Sequence, residues 1–125
     1  MGCDIHAHLE VKVDDKWEHH SSIDIDRNYY LFGLLVDGHL RGQCKGVAQA
    51  RGMPTDANPL TNKCIGDKRH YHTHSYLLPK ELNKAILKYE KEHGYELDSL
   101  LSLKGVLDYT PLEHSEYRLV FAFDS

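Results

Sequence analysis

The chain of 125 residues has an apolar fraction of 41%, a charged fraction of 27% and a net charge of −4. This length fits one domain over residues 1–125, and it is large enough to fold without a structural metal ion or disulfide. The negative net charge disfavours nucleic acid as the main partner. No apolar stretch is long enough to cross a bilayer, and the first residues lack the apolar run of a signal peptide.

The cysteines indicate a reducing compartment. There are three of them, Cys3, Cys44 and Cys64, with no paired spacing and no C-x-x-C motif. An odd count without a framework pattern disfavours a disulfide scaffold. We therefore expect the protein in the cytoplasm.

The first predicted element is a strand over residues 3–13, where apolar and polar side chains alternate strictly. Period-two alternation over this length predicts a strand with its apolar side towards the core. The polar side carries, in chain order, Asp4, His6, His8, Glu10 and Lys12. Cys3 belongs to the apolar side, which favours a buried structural thiol over a nucleophile.

A hairpin and a short helix follow. Asp14-Asp15-Lys16 has the composition of a turn, and Trp17 begins a second strand. Residues 28–37 predict a short buried helix, with Asp26 or Asn28 available as the N-cap.

The remaining elements are less evenly spaced. Residues 38–74 show no convincing period, which predicts a long irregular loop that folds over a site. Helices are predicted over residues 79–93, where a proline stands at the first helical position, and over residues 97–107. Alternating aromatic and aliphatic side chains predict a last strand over residues 116–124.

This order of elements predicts an α+β domain. We expect one antiparallel sheet with the N- and C-terminal strands central and two to three helices packed on one face. The polar side of the first strand then lies on the other face, where the long loop can cover it and form a cleft.

The histidines point to a metal ion. The chain has ten, and two lie in the pattern D-x-H-x-H-x-E of the first strand. Alternate residues on a strand are about 6.5–7 Å apart at the backbone, so neighbouring side chains can converge on one ion. Imidazole and carboxylate ligands suit zinc, manganese or iron(II) better than calcium. The pattern predicts a divalent metal ion, zinc or manganese.

A second histidine cluster comprises His70, His72, His74 and the adjacent Ser75. Its alternation in an extended segment predicts either further metal ligands or a general acid beside the first cluster. A histidine-rich surface loop is the alternative interpretation.

The arginines indicate an anionic ligand. Arg27 precedes Asn28 and Tyr29, Arg51 begins a Gly/Pro turn that reaches Asp56, and Arg118 lies on the last strand. An arginine held by a turn can bind phosphate or carboxylate through two hydrogen bonds. Any one of them is more often a surface ion-pair partner. Taken with the acidic and histidine cluster, however, they predict a phosphate-bearing substrate.

The whole chain resembles a family of uncharacterised phage and bacterial proteins that open with MGCDIH. The resemblance rests on the first six residues with Glu10, on Arg27-Asn28-Tyr29 with Leu31-Phe32, on Arg51-Gly52 with Pro54 and Asp56, on His72 and Ser75 ahead of Leu78, Glu81 and Leu82, and on Arg118 with Phe123-Asp124. It implies a phage-related setting, in which the expected cytoplasm would be that of the bacterial host. It also favours Asp4, His6 and Glu10 over His8, and His72 over His70 and His74.

These observations predict a metal-dependent hydrolase of the phosphoesterase type, acting on a nucleotide or cyclic-nucleotide-like molecule, with a role in phage counter-defence. The predicted metal ligands are Asp4, His6 and His72, and the predicted catalytic residues are Glu10, Asp56 and His72. The predicted substrate-binding residues are Arg27, Asn28, Tyr29, Arg51, Ser75 and Arg118.

Two alternatives stay open. The first is a non-catalytic phage protein that sequesters a nucleotide messenger or inhibits a host protein, with Tyr29, Tyr30 and Tyr71 available for stacking on a base. The second is a metal-free thiol enzyme that uses Cys3 and His6. The sequence predicts no oligomeric state.

Overall fold

The computed structural model describes residues 2–37, 45–94, 101–105 and 116–124. Its centre is a four-stranded antiparallel sheet in the order β2-β1-β4-β3. The strands are β1 (Asp4–Val13), β2 (Lys16–Ile23), β3 (His72–Leu77) and β4 (Tyr117–Asp124). The N- and C-terminal strands are central, and the α+β class is confirmed.

The hairpin between β1 and β2 forms as predicted. Val13 pairs with Lys16 across a two-residue loop, and Asp14 and Asp15 both have positive φ, at 50° and 64°. This backbone matches the twist of two antiparallel strands, and aspartate tolerates it better than most residues. Further along, Leu9 pairs with Ser21 but Glu10 pairs with His19, so β2 carries one extra residue in a bulge.

Three helices accompany the sheet: α1 (Tyr29–Leu35), α2 (Pro59–Ile65) and α3 (Pro79–His93). The helix predicted over residues 79–93 is confirmed at both ends, and α1 lies inside the predicted range 28–37. Residues 101–105 are helical, within the predicted range 97–107. The other parts of that range lie outside the described residues.

The apolar core lies between one face of the sheet, here the helical face, and the helices α1 and α3. Its fully buried side chains include Leu31, Phe32, Leu34, Leu35, Leu77, Leu82, Ile86, Leu103, Leu119, Phe121 and Phe123. Burying an aliphatic or aromatic side chain stabilises a fold by about 1.5–3 kcal/mol, so this face supplies most of the stability. Cys3 is 3% exposed within this core, which confirms the buried thiol, while Cys44 lies outside the described residues.

The opposite side of the sheet is here called the loop face. The prediction of a long irregular loop over residues 38–74 is wrong there. Residues 59–65 form α2, and residues 72–77 form β3. Asn58 caps α2 by accepting a hydrogen bond from the Leu60 backbone, with Pro59 at the first helical position. Both elements are too short for a periodic pattern to stand out in the sequence.

Residues 51–71, which carry α2 and are here called the covering segment, lie over the loop face as the predicted cleft required. Ile65 packs on Val120 and Ala122 of β4, and Met53 and Tyr71 lie beside them. These contacts give the loop face an apolar centre, and polar side chains lie at either end of it.

Among the helices of the described residues, none combines the length and apolar character that crossing a bilayer requires.

Candidate active site

A cleft of about 480 Å³ opens on the loop face where β1 begins and β2 ends. It is lined by Asp4, Ile5, His6, Ala7, His8, Ser22, Ile23, Asp24, Ile25, Asp26 and Arg27. The alternation of β1 predicts this placement, since Asp4, His6 and His8 share one side of the strand. We take this cleft as the candidate active site because imidazoles, carboxylates and an arginine line it together.

His6 and Asp124 form a histidine–carboxylate pair in this region. The His6 Nε2 atom lies 2.6 Å from the Asp124 Oδ2 atom, and the two side chains are 40% and 41% exposed. Tyr71 contacts the His6 ring edge-on, with centroids 5.2 Å apart. A carboxylate bonded to one ring nitrogen fixes the tautomer and orientation of an imidazole, which leaves its other nitrogen available for proton transfer.

Asp4 and Arg27 form a bidentate ion pair beside His6. The Arg27 Nε and Nη2 atoms each donate to one oxygen of Asp4 at 3.0 Å. The hydrogen bond from Arg27 holds the pKa of the Asp4 carboxyl below its usual range. Gly2 lies against the guanidinium, since a Cβ atom built on Gly2 would be only 1.8 Å from Arg27 Nη1. The Asp4 carboxylate thus holds the Arg27 guanidinium in a position that is open only because Gly2 has no side chain.

His8 lies deeper, beside His19 of β2. The His8 Nδ1 atom is 2.9 Å from His19 Nε2 and 3.5 Å from the Ser22 hydroxyl. Only 6% of His8 is exposed, and burial lowers its pKa, with the neighbouring His19 and His6 adding to the effect. The two-residue turn sets the register that places His19 opposite Glu10, and the β2 bulge beyond it brings Ser22, not Ser21, opposite His8.

Glu10 lies at the other end of the loop face, about 13 Å along β1 from His6. Glu10 is fully buried, and its Oε1 atom accepts a hydrogen bond from Arg118 Nε at 2.8 Å. Arg118 Nη2 lies 2.7 Å from the same oxygen, but this contact does not have hydrogen-bond geometry. Its Oε2 atom accepts from the Asn58 backbone at 2.8 Å. Glu10 therefore fixes the covering segment to the sheet, and neither of its oxygens faces solvent.

Asp56, an exposed residue of the covering segment, is the second carboxylate that contacts Arg118. It accepts from Arg118 Nη1 at 3.0 Å and from the Trp17 ring nitrogen at 3.1 Å, and the Arg118 guanidinium lies 3.9 Å from the Trp17 ring centre. Partial burial raises the pKa of Asp56, but the Arg118 hydrogen bond and charge outweigh it, so the pKa is lowered. Asp56 and Arg118 are engaged with each other and lie away from the cleft.

Arg51 also pairs with a carboxylate far from the cleft. Its guanidinium donates to both oxygens of Glu81 and to the Tyr76 carbonyl oxygen at 2.8 Å. Its backbone nitrogen donates to the hydroxyl of Ser75, which is fully buried. The predicted ligand residues Arg51 and Ser75 thus bind the covering segment to β3 and α3.

Asn28 and Tyr29 hold the start of α1. The Asn28 side chain accepts from the Leu31 backbone nitrogen as the N-cap and donates to the Tyr89 hydroxyl, both at 3.0 Å. The Tyr29 hydroxyl accepts from the Cys3 backbone nitrogen at 3.2 Å. Both predicted substrate-binding residues therefore have structural contacts, next to the cleft.

The predicted metal ligands do not converge. His72 pairs with Phe123, whose ring it approaches at 6.3 Å, whereas His6 pairs with Ala122, so the sheet separates the two histidines. Within the described ranges, no three side chains of His, Cys, Asp or Glu come close enough to share one ion. Asp4, His6 and His72 therefore do not form one preassembled shell in this structure.

Sequence reasoning missed Asp124, His19 and Ser22 as members of this region. Asp124 ends β4 opposite Asp4, and antiparallel pairing of the two terminal strands would have brought it near His6. His19 and Ser22 lie on the strand that the predicted hairpin folds back along β1. The hairpin therefore contained this information, but its bulge could not be read from the sequence.

Comparison of the chain with protein-family models, with curated proteins and with solved structures gave no match.

Proposed function

We propose that the protein is a hydrolase that acts on a phosphate-bearing small molecule of the nucleotide class in the cleft at the start of β1. The observation that carries this proposal is the His6–Asp124 pair, with its 2.6 Å contact and partly exposed side chains. Buried ion pairs such as Glu10–Arg118 hold a fold together. A solvent-accessible imidazole fixed by a carboxylate is instead suited to moving a proton.

The proton transfer follows from the hydrogen bond. In the tautomer with hydrogen on Nε2, His6 donates to Asp124, and Nδ1 is the basic nitrogen. His6 can then take a proton from an attacking water, and the Asp124 carboxylate stabilises the resulting imidazolium. The water oxygen bonds to phosphorus as the bond between phosphorus and the leaving oxygen breaks, and the proton passes from His6 to the leaving oxygen, which restores the neutral ring. General acid–base catalysis of this kind contributes about 10²–10⁴-fold.

The charges of the cleft support a metal-dependent form of this proposal. Three carboxylates line it, on Asp4, Asp24 and Asp26, against one guanidinium on Arg27. An anionic substrate would meet a wall of net negative charge unless a cation entered with it. A divalent ion would supply that positive charge and polarise the phosphorus–oxygen bonds. Arg27 is the one of the three predicted phosphate-binding arginines that lines the cleft.

The test is hydrolysis of a panel of nucleoside mono-, di- and triphosphates and cyclic mono- and dinucleotides, followed by ³¹P NMR with and without Zn²⁺ or Mn²⁺. We expect one class to be cleaved, and His6→Gln to lower the rate at least about 10²-fold. His70→Gln is the matched control, because His70 also contacts a carboxylate, on Asp67 at 3.0 Å, but lies outside the cleft. Equal loss in both variants, or no cleavage of the panel, would contradict the proposal.

Sequestration without catalysis is the second candidate, and the position of Tyr71 favours it. This half-buried ring lies edge-on to His6, where a base could stack beside it. The two functions separate in one measurement: the protein is incubated with the nucleotides and heat-denatured, and the released ligand is analysed. An intact ligand supports sequestration in a phage counter-defence setting, whereas a cleaved ligand supports hydrolysis.

A further inference from the structure

His8 of β1 and His19 of β2 lie side by side in the sheet. Their facing nitrogens are 2.9 Å apart, and their ring centres are 5.1 Å apart with planes inclined at 54°. Such a contact has two physical explanations. Either one ring donates an N–H to the other, or the two nitrogens are placed to share a cation.

We propose that His8 and His19 form a binding site for a divalent transition-metal ion, with Zn²⁺ as the ion that suits them best. Two imidazole nitrogens on one tetrahedral zinc ion lie about 3.3 Å apart, since each Zn–N bond is about 2.0–2.1 Å. The observed separation is about 0.4 Å shorter than that. His19 is half-buried at the sheet edge, so a small rotation of its ring can open the pair.

The surroundings of the pair complete the case. The Ser22 hydroxyl is 3.5 Å from His8 Nδ1, so an oxygen lies where it can bond to the ion or to a water on it. His8 and Ser22 line the same cleft as the carboxylates of Asp4 and Asp24, whose negative charge attracts a cation. Imidazole donors favour zinc, copper or nickel, while calcium and magnesium prefer oxygen-only sites.

The position of this site relates it to the cleft. His8 is two residues from His6 on the same side of β1, so a metal-bound water would lie in the region that the His6–Asp124 pair borders. A catalytic use of the ion rests on the hydrolysis proposed above. The binding of the ion does not, because it depends only on the two imidazoles and their neighbours.

The experiment is calorimetric titration of the full chain, without a histidine tag, with Zn²⁺, and with Co²⁺ as a spectroscopic probe. We expect one tight site in the wild type, and at least about tenfold weaker binding in His19→Ala, since even changes outside the ligand set cost that much. His20→Ala is the matched control, because His20 is the neighbouring histidine but contacts Ser21 at 3.1 Å on the exposed edge. Its affinity should equal that of the wild type.

The outcomes separate the two proposals. Equal affinity in the wild type and His19→Ala, or no binding by the wild type, overturns the metal site and assigns the 2.9 Å contact to an N–H···N hydrogen bond. Circular dichroism verifies that each variant is folded, and His19→Gln replaces His19→Ala if that variant unfolds. Binding that depends on His19 without any nucleotide cleavage supports the site and contradicts the hydrolase. Cleavage that persists with a chelator supports the hydrolase without a catalytic ion.

Discussion

Glu10 of β1 and Arg118 of β4 are directly opposite each other in the sheet and form an ion pair that is buried on both sides, with exposures of 0% and 5% for the two side chains. The Arg118 Nε atom donates to Glu10 at 2.8 Å, and Asp56 and Asn58 join the pair from the covering segment. Glu10 was predicted as a catalytic base, and Arg118 as a phosphate ligand. Each now has a structural partner that accounts for its charge.

This burial predicts that Glu10→Gln lowers the free energy of unfolding by up to about 3–5 kcal/mol, because the buried Arg118 charge then keeps only Asp56, which is 63% exposed, as its anion. Urea denaturation measures the change. Glu116→Gln is the matched control, since Glu116 pairs with Lys12 at 3.8 Å on the same sheet but is 58% exposed. Surface substitutions of that kind change stability by less than about 0.5 kcal/mol. A loss of hydrolysis in Glu10→Gln without greater destabilisation than in Glu116→Gln would return Glu10 to a catalytic role.

The Arg51–Glu81 pair predicts an acid-sensitive part of the stability. The hydrogen bond from Arg51 lowers the pKa of Glu81, and burial offsets this only in part. The pKa in the folded protein is therefore below that in the unfolded chain. The stabilisation is fully present above the ordinary glutamate value of about 4.3 and is lost as the pH falls through the folded pKa.

We expect the melting temperature of Arg51→Gln to be below that of the wild type at neutral pH, and the difference to shrink on acidification below about pH 4.3. A pH-independent remainder should persist, since Arg51 also donates to the Tyr76 carbonyl oxygen. Lys84→Gln, on the exposed side of α3, is the control and should show no such trend. A difference that grows as the pH falls would contradict the assignment.

The contact of Gly2 with Arg27 predicts a change that is confined to the cleft. In Gly2→Ala the new methyl group would displace the Arg27 guanidinium, so Asp4 would lose its two-armed hydrogen bond. The pKa of Asp4 should then rise towards its ordinary value, which NMR titration of the carboxyl carbon can follow. Asp67, whose pKa is lowered by Arg69 elsewhere, serves as the internal control. An unchanged Asp4 pKa would mean that Arg27 keeps its position.

Much of the fold could be predicted from periodicity. The alternation of β1 separated Cys3 and Leu9, in the core, from His6 and Glu10, on the loop face, and the terminal strands were placed at the centre. Local capping chemistry likewise identified α1 and α3. These features depend on neighbouring residues, which a sequence displays directly.

The predictions for the site went less far, because its partners are distant in sequence. Whether an arginine binds a ligand or stabilises the fold depends on which carboxylate lies beside it. Arg118 contacts Glu10, which is 108 positions away in the sequence. The choice between Ser21 and Ser22 as the residue opposite His8 depends on one bulge in β2. A bulge shifts every later side chain by one position, and no local pattern marks it here.

The final prediction isolates catalysis from stability at Asp124. Asp124→Asn keeps the size of the side chain but removes the charge that orients His6 and stabilises its protonated form. If His6 transfers the proton in the proposed hydrolysis, kcat should fall by about 10²–10⁴-fold. The free energy of unfolding should change by less than about 1 kcal/mol, because both partners are about 40% exposed.

Asp67→Asn is the matched control for this substitution, since it alters another histidine–aspartate contact, at His70, which lies outside the cleft. We expect its kcat to equal that of the wild type. Asp124→Glu should restore part of the lost rate, because it returns the negative charge near His6. Equal rates in the wild type and Asp124→Asn would show that the charge of Asp124 does not act through His6. The histidine–carboxylate pair would then be an ordinary surface contact of low energetic value.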